Sequence, residues 1–272
     1  MEFIMKNNKI NYKLKIMTLF VIAIFVISVI ITNNNTLLVN GEISEKTIGW
    51  GIKRANNHEQ PDVGASNKQE LEENGGICLG NKENKFIYLT FDSGYEAGYI
   101  DNILDTLKEN NVTATFFITA HYLNSATDKV KRMINENHNI GNHTCQHPSL
   151  PSISDEKIEE EIMKLHQSVY EKFGYEMKYF RPPKGEFNKR TLKKTDSLGY
   201  KTVMWSFAYC DWDEKNQQSK EDAIKIITNN FHPGEIMLLH SNSKTNSEVL
   251  DTIIKEAKKQ GYEFKNLDEF LY

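Results

Sequence analysis

F-I-Y-L-T-F-D-S-G, residues 86–94, reads as a short β-strand running into a turn. Aromatic and β-branched residues dominate its first six positions and suit a pleated, buried surface. Polar residues bound the run. Asp92 and Ser93 stand at its end, and Gly94 opens the turn. An aspartate so placed serves either as a turn or cap residue or as a general base aimed out of a strand end.

Outward from this strand the chain alternates. Ile100, Ile103, Leu104 and Leu107 share one helical face. T-A-T-F-F-I (113–118) reads as a second strand, and Val130, Met133 and Ile134 mark a second helix. Ile158, Ile162, Leu165 and Val169 mark a longer helix opened by Ser154. Lys157 stands where a capping box has Glu, so that signature is partial. Further strands fit 179–181, 201–205 and 235–239, and helices fit 219–230 and 246–260. No internal repeat is visible. This alternation predicts an α/β fold on a parallel sheet or barrel. Asp92, Arg181, Asp211 and His240 each follow an expected strand, and C-terminal strand ends are where parallel barrels carry their chemistry.

The composition fits that fold. Of 272 residues, 39% are hydrophobic and 26% charged, so a core of ordinary size is expected. A net charge of -4 argues against a nucleic-acid surface held by bulk charge. The three cysteines, Cys78, Cys145 and Cys210, imply no disulfide framework. Residues 1–15 are basic, with Lys6, Lys9, Lys13 and Lys15. Residues 16–32 are apolar, and the run from Ile16 to Ile31 spans about 24 Å at ~1.5 Å per residue, short of a ~30 Å hydrocarbon core. It is a signal peptide or a short anchor, and the basic flank places the rest of the chain outside. Residues 32–36 lack a clear small-x-small cleavage site, which favours a membrane anchor facing outward over secretion. Residues 33–79 are rich in Asn, Glu and Gly and read as a linker that becomes an ordered lead-in near Ile48. Residues 80–272 form the main domain.

Other motifs carry chemistry. H-T-C-Q-H places His143 and His147 four apart, a spacing that on a helical turn lets both bind one metal. Imidazole suits zinc, and also cobalt or nickel; alone, the pair also fits two unrelated surface histidines. L-L-H-S sets His240 after an apolar strand, as a general acid or a loop residue. In R-P-P-K-G (181–185), two prolines stiffen the turn and Gly185 permits close approach. Arg181 there can hold a carboxylate. D-W pairs Asp211, a possible histidine orienter, with Trp212, an indole that suits a sugar face or a core.

Together, T-F-D, H-T-x-x-H, R-P-P-x-G, D-W and L-x-H resemble, in order and spacing, the polysaccharide deacetylase family (carbohydrate esterase family 4) and its NodB-like domain. The likeness spans about residues 80–272. W-G-I-K-R-A-N-N-H-E-Q-P-D-V-G (50–64) and L-T-F-D-S-G-Y-E-A-G-Y (89–99) further resemble the spore-cortex branch, the delta-lactam-biosynthetic de-N-acetylases. The resemblance implies a distorted (β/α) barrel with fewer than eight complete units. It implies Asp92 as catalytic base, His143 and His147 as metal ligands, and His240 as catalytic acid. It implies Arg181 as orienter of the base and Asp211 as partner of the acid. Trp212 and Leu238 would wall the acetyl pocket, and the turn at Pro183, Lys184 and Gly185 would hold the oxyanion. The implied cofactor is a divalent metal, zinc before cobalt, nickel or manganese.

Two positions depart from the family. Ser93 stands where most members have a second aspartate that completes the metal triad, which implies weaker metal binding. Lys184 stands where many have an aromatic residue, and a cation there suits the lactyl carboxylate of N-acetylmuramic acid. The expected activity is de-N-acetylation of N-acetylmuramic acid in peptidoglycan strands, leading to muramic δ-lactam in the spore cortex. A muramoyl-L-alanine amidase would act beforehand to remove the stem peptide. The alternatives are an N-acetylglucosamine deacetylase of peptidoglycan or chitin-like chains, and a non-catalytic, membrane-tethered glycan-binding module.

Overall fold

The computed structural model describes residues 46–270. The basic region 1–15, the apolar segment 16–32 and the start of the linker lie outside the described residues. Among the described residues no helix is long and apolar enough to cross a membrane.

The chain runs β1 (Ile48–Gly49), α1 (Ala65–Glu73), β2 (Phe86–Ser93), α2 (Ile100–Glu109), β3 (Thr115–Ile118), α3 (Ala120–Ser125), α4 (Thr127–Asn135), β4 (Asn139–Asn142) and α5 (Asp155–Phe173). It continues through β5 (Tyr179–Phe180), β6 (Glu186–Phe187), α6 (Lys189–Ser197), β7 (Lys201–Thr202), α7 (Lys220–Thr228), β8 (Glu235–His240), α8 (Lys244–Lys259) and β9 (Glu263–Phe264). Seven strands form one curled sheet in the order β7-β5-β4-β3-β2-β8, with β9 pairing the start of β2. Every pairing in it is parallel. Beyond β7 the chain carries on through Val203, whose N–H donates to Phe180 O at 2.7 Å, to Ser206, whose N–H donates to Ile236 O at 3.0 Å. Leu238 N–H donates back to Phe207 O at 2.9 Å. Residues 201–207 therefore bond to β5 at one end and to β8 at the other, bridging the two edges of the sheet.

Side-chain alternation along the strands divides the core in two. In β2, Ile87, Leu89 and Phe91 face the helices, where they join Phe116, Ile118, Ile140, Phe180, Met237 and Leu239 in the main cluster. Tyr88, from the other face of the same strand, joins Phe117, Tyr179, Val203 and Ile236 inside the curl. Both faces of β2 are buried, hence its continuous apolar run. Gly141 of β4 lies on the inner face, and a Cβ there would meet the Phe117 ring at 2.4 Å. Glycine is what lets the sheet curl tightly at that point.

The helices follow the apolar stripes. α2 buries Ile100, Ile103, Leu104 and Leu107, and α5 buries Ile158, Ile162, Leu165 and Val169. The Ser154 side chain accepts from Lys157 N–H at 3.4 Å, so the serine half of the partial capping box operates. The lead-in is folded more fully than its polar composition suggests. β1 pairs antiparallel with β6, and α1 anchors through Leu71 into a second cluster with Trp50, Val63, Cys78, Phe187, Leu192 and Met204. α1 and α6 escape a periodicity reading because each buries one large apolar residue, Leu71 or Leu192. The three cysteines are free.

Candidate active site

The inner-face alternation that buries Tyr88 brings Thr90 and then Asp92 to the C-terminal end of β2. The same alternation in β8 carries Ile236 through Leu238 to His240. Asp92 and His240 are register partners on the adjacent strands. Continuing the inner faces of β4 and β5 past their ends gives His143 and Arg181. The sheet thus gathers these residues at the mouth of the curl, around a cleft of about 560 Å³. That size suits a small ligand or one unit of a longer one, for which clefts of ~300–1,000 Å³ are usual. Asp92, His143, His147, Lys184, Gly185, Trp212, Leu238 and His240 line it.

Asp92 Oδ1 accepts from Arg181 Nη1 at 2.8 Å. The same Nη1 reaches Thr90 Oγ1 at 2.9 Å, and Arg181 Nε donates to Val203 O at 3.0 Å. Arg181 is fully buried, its guanidinium 4.2 Å from the Phe117 ring centroid. Burial pushes the Asp92 carboxyl up, but the charge and hydrogen bond of Arg181, with the charge of His240, outweigh it and hold the group below the ordinary carboxylate value. Asp92 is therefore an ionised acceptor aimed into the cleft.

His240 has the opposite assignment. Its Nδ1 donates to Asp211 Oδ1 at 2.7 Å and its backbone N–H to Asp211 Oδ2 at 2.8 Å. Asn246 Nδ2 donates to the same Oδ2 at 2.6 Å. Burial lowers the imidazole's proton affinity, but Asp211 outweighs it and the pKa of His240 rises above 6.5. With Nδ1 committed to Asp211, Nε2 carries the exchangeable proton.

The two histidines of H-T-C-Q-H meet without a helix. Thr144 and His147 have φ of 68° and 58°, left-handed values that an α-helix excludes. The expected helical turn is instead a loop with N–H groups satisfied by side chains. Gln146 N–H donates to Glu161 Oε2 at 2.7 Å, Thr144 N–H to Asn142 Oδ1 at 2.9 Å, and His147 N–H to Thr144 Oγ1 at 2.9 Å. The His143 and His147 ring centroids stand 4.8 Å apart.

These residues fit a metal ion. His143 Nδ1 donates to Arg181 O at 2.8 Å, which leaves Nε2 as the lone pair of the neutral ring. That lone pair faces Asp92 Oδ2 at 3.6 Å, two acceptors opposed across a gap that suits a cation. Burial lowers the pKa of His143, and burial with His143 beside it brings His147 to about 4, so both rings are neutral and ready to ligate. Among the described residues no group of three His, Cys, Asp or Glu forms a ready-made metal cluster.

Four expected residues stand behind the cleft lining. Arg181 and Asp211 are buried supports, and Pro183 is buried in its turn. Ser93, which stands at the position of the family's third metal ligand, is fully buried and accepts from Ser241 Oγ at 2.8 Å. The lining also contains Tyr95, from the 89–99 stretch, and Trp205, an indole that like Trp212 suits a sugar face or a core, together with Tyr209 and Asn242, for which no motif spoke. Glu161 and Asn246 were equally silent. The one sequence signal for Glu161 is a charge set between Ile158 and Ile162 on the apolar stripe of α5.

Comparison with known proteins agrees with this geometry. The family profile described as polysaccharide deacetylase matches residues 79–203. The chain is 45% identical over 230 residues to an uncharacterised 30.6 kDa protein of Geobacillus stearothermophilus, covering 84% of this chain and 87% of that one. It is 42% identical over 231 residues to the peptidoglycan-N-acetylmuramic acid deacetylase PdaA of Bacillus subtilis, covering 85% and 88%. The structure of Bacillus subtilis PdaA, a family 4 carbohydrate esterase, superposes with a TM-score of 0.80 at 43% identity over 83% of this chain and 97% of that one. The matched profile spans the strands that bear Asp92, His143 and Arg181, the relatives are similar across most of both chains, and this protein belongs to the polysaccharide deacetylase family.

Proposed function

We propose that this protein hydrolyses the N-acetyl amide of N-acetylmuramic acid in peptidoglycan, opening the route to muramic δ-lactam. The observation that carries the reading is the register pair Asp92 and His240, one held ionised and the other held protonated at a single strand end. The muramic substrate is the one in the name of the Bacillus subtilis relative. We read the curled sheet, with residues 201–207 bridging its edges, as a distorted (β/α) barrel.

His143 and His147 would hold the divalent metal, zinc before cobalt, nickel or manganese by donor type, and when bound it supplies Lewis-acid polarisation at the amide carbonyl. Asp92 takes the proton of the attacking water. Arg181 keeps the Asp92 carboxylate ionised and aimed. Gly185 N–H is bonded to Pro182 O at 3.1 Å, so we assign Lys184 N–H as the turn's donor to the developing oxyanion. His240 Nε2 then delivers its proton to the departing sugar nitrogen, while Asp211 stabilises the imidazolium up to that moment. Trp212 and Leu238 wall the acetyl methyl.

Lys184 is exposed at the rim with no ion-pair partner among the described residues. It suits the lactyl carboxylate that N-acetylglucosamine lacks. Ser93, bonded to Ser241, offers no carboxylate, so metal affinity is weak. Once freed, the amine lies in the same sugar as the lactyl carboxyl, and ring closure has a high effective molarity. The stem peptide must be gone first, which implies a preceding muramoyl-L-alanine amidase. The site then works outside the cell, from an N-terminal membrane anchor or after secretion, in the wall or spore cortex.

The test is mass analysis of peptide-free muramic glycan after incubation with the pure protein and zinc. Loss of acetyl followed by loss of water from muramic residues is expected. Acetyl loss confined to N-acetylglucosamine residues replaces the substrate assignment. No chelator-sensitive turnover on either sugar leaves only a glycan-binding module.

A further inference from the structure

Trp50 lies outside the cleft, yet it bonds to two of the cleft's walls. Its backbone N–H donates to Gly185 O at 2.8 Å. Its indole N–H donates to Trp205 O at 2.9 Å. Gly185 and Trp205 both line the cleft and come from separate stretches of chain. On either side of Trp50 the same segment grips the same walls. Ile48 and Gly49 pair with Phe187 and Glu186, and Arg54 Nη2 donates to Ala208 O at 2.9 Å while stacking 5.5 Å over Phe207.

The turn so gripped is a strained one. Lys184 has φ 60°, a conformation that L side chains rarely adopt and that persists only where the surroundings over-determine it. Gly185, at φ +65°, is closed in on both sides: a Cβ would meet Trp205 at 2.6 Å and the Trp50 Cβ at 3.3 Å. Within the described residues, the segment that precedes the main sheet holds this backbone from outside the turn, opposite Trp205.

We propose that residues 46–64 are a strap across the cleft wall, and that Trp50 is a positioning residue that sets where Lys184 stands and hence how the glycan binds. The inference rests on the assignment of Lys184 to the substrate. Trp50 touches none of the groups that move protons, so its effect falls first on KM, through the Lys184 ammonium; because the same turn carries the Lys184 N–H assigned to the oxyanion, kcat falls with it but by less.

The test is a kinetic cycle on the full-length protein with peptide-free muramic glycan. Trp50→Phe keeps the ring and deletes the indole N–H. We expect KM to rise about 3- to 10-fold, the size of one lost hydrogen bond, with a smaller fall in kcat and an unchanged pH profile. In a Lys184→Ala background the same substitution adds nothing further to KM. Arg54→Met, at the other end of the strap, raises KM in the same way and decides the matter if Trp50→Phe does not fold. Unchanged KM in both variants, a fall in kcat at constant KM, additive effects of Trp50→Phe and Lys184→Ala, or a Lys184→Ala variant with wild-type KM overturns the proposal. The substrate assignment fails separately, through product analysis of the unsubstituted protein. If that protein deacetylates N-acetylglucosamine oligomers alone, the same cycle read on those oligomers still judges the strap.

Discussion

At the residue scale the site is two carboxylates with opposed duties. In the proposed mechanism Asp92 works ionised and Asp211 favours the protonated form of His240. Because Asp211 raises the His240 pKa above 6.5, the proposed general acid stays charged to higher pH than a free histidine. We therefore expect the alkaline limb of the kcat/KM profile to lie above the ordinary histidine value. Asp211→Asn removes the stabilising charge, and we expect that limb to move to lower pH with kcat down by about 10- to 100-fold, within the range of lost acid–base assistance. Asp92→Asn removes the base and should cost ~10²–10⁴ in kcat at similar KM. At Ser93 the missing carboxylate is the issue. Ser93→Asp should tighten zinc binding about tenfold or more by calorimetry, and equal affinity in the unsubstituted protein refutes weak binding. Motifs disclosed all of these residues, because the chemistry needs those side-chain types. Asn246 was not legible: its task is one amide donated to Asp211, and nothing in its neighbours in sequence marks that.

At the scale of elements, the loop after β4 shows how a spacing can be right and its geometry wrong. His143 and His147 do converge, but through left-handed residues and not through an α-helical face. A spacing of four records proximity along the chain and is blind to φ. The loop depends on Glu161 of α5, whose backbone and carboxylate accept from Cys145 and Gln146. The residue is 3% exposed, and Glu161→Ala leaves the part-buried Gln146 N–H without its carboxylate acceptor. We expect a loss of about 2–3 kcal/mol in urea unfolding together with weaker zinc binding, since the histidine loop loses its tether. If zinc affinity is unchanged, the loop is positioned by other contacts. The long strands and helices were legible because each presents a full apolar stripe. α1 and α6 were not, because their stability comes from where they dock.

At the scale of the whole molecule, one alternation decides both the core and the site. Residues at every second position of β2 and β8 pass from apolar filling at the bottom of the curl to Asp92 and His240 at its mouth, and a slip of one residue would turn the catalytic set toward the helices. The α/β class and the strand-end address were readable from the order of elements. The curl was not, since it depends on contacts such as Gly141 against Phe117. At the opposite end, Glu235 opens β8 fully buried, with Oε1 lacking a hydrogen-bond partner. Burial raises its pKa well above 4.5. The folded state keeps this proton while the unfolded chain releases it near pH 4.5, so stability is lost as pH rises from that value through the folded pKa. Glu235→Gln removes the titration. We expect its melting temperature, relative to the unsubstituted protein, to climb between pH 5 and pH 8; a difference independent of pH rules this out.

The bridge formed by residues 201–207 also governs the order in which the chain can assemble. β8 lies between β2 and that bridge, so the last long strand to be synthesised is an interior one. Its partner in β2 is about 150 residues earlier, as in the bond from Thr90 to Met237 across 147 positions, and such distant pairings pay their loop-closure entropy before contacts repay it. A chain delivered N-terminus first can form β2, β3 and β4 early, but the seam stays open until His240 has emerged. Until then the cleft does not exist and its two proton-handling residues are apart. Closure of the curled sheet and the onset of catalytic competence are one late event.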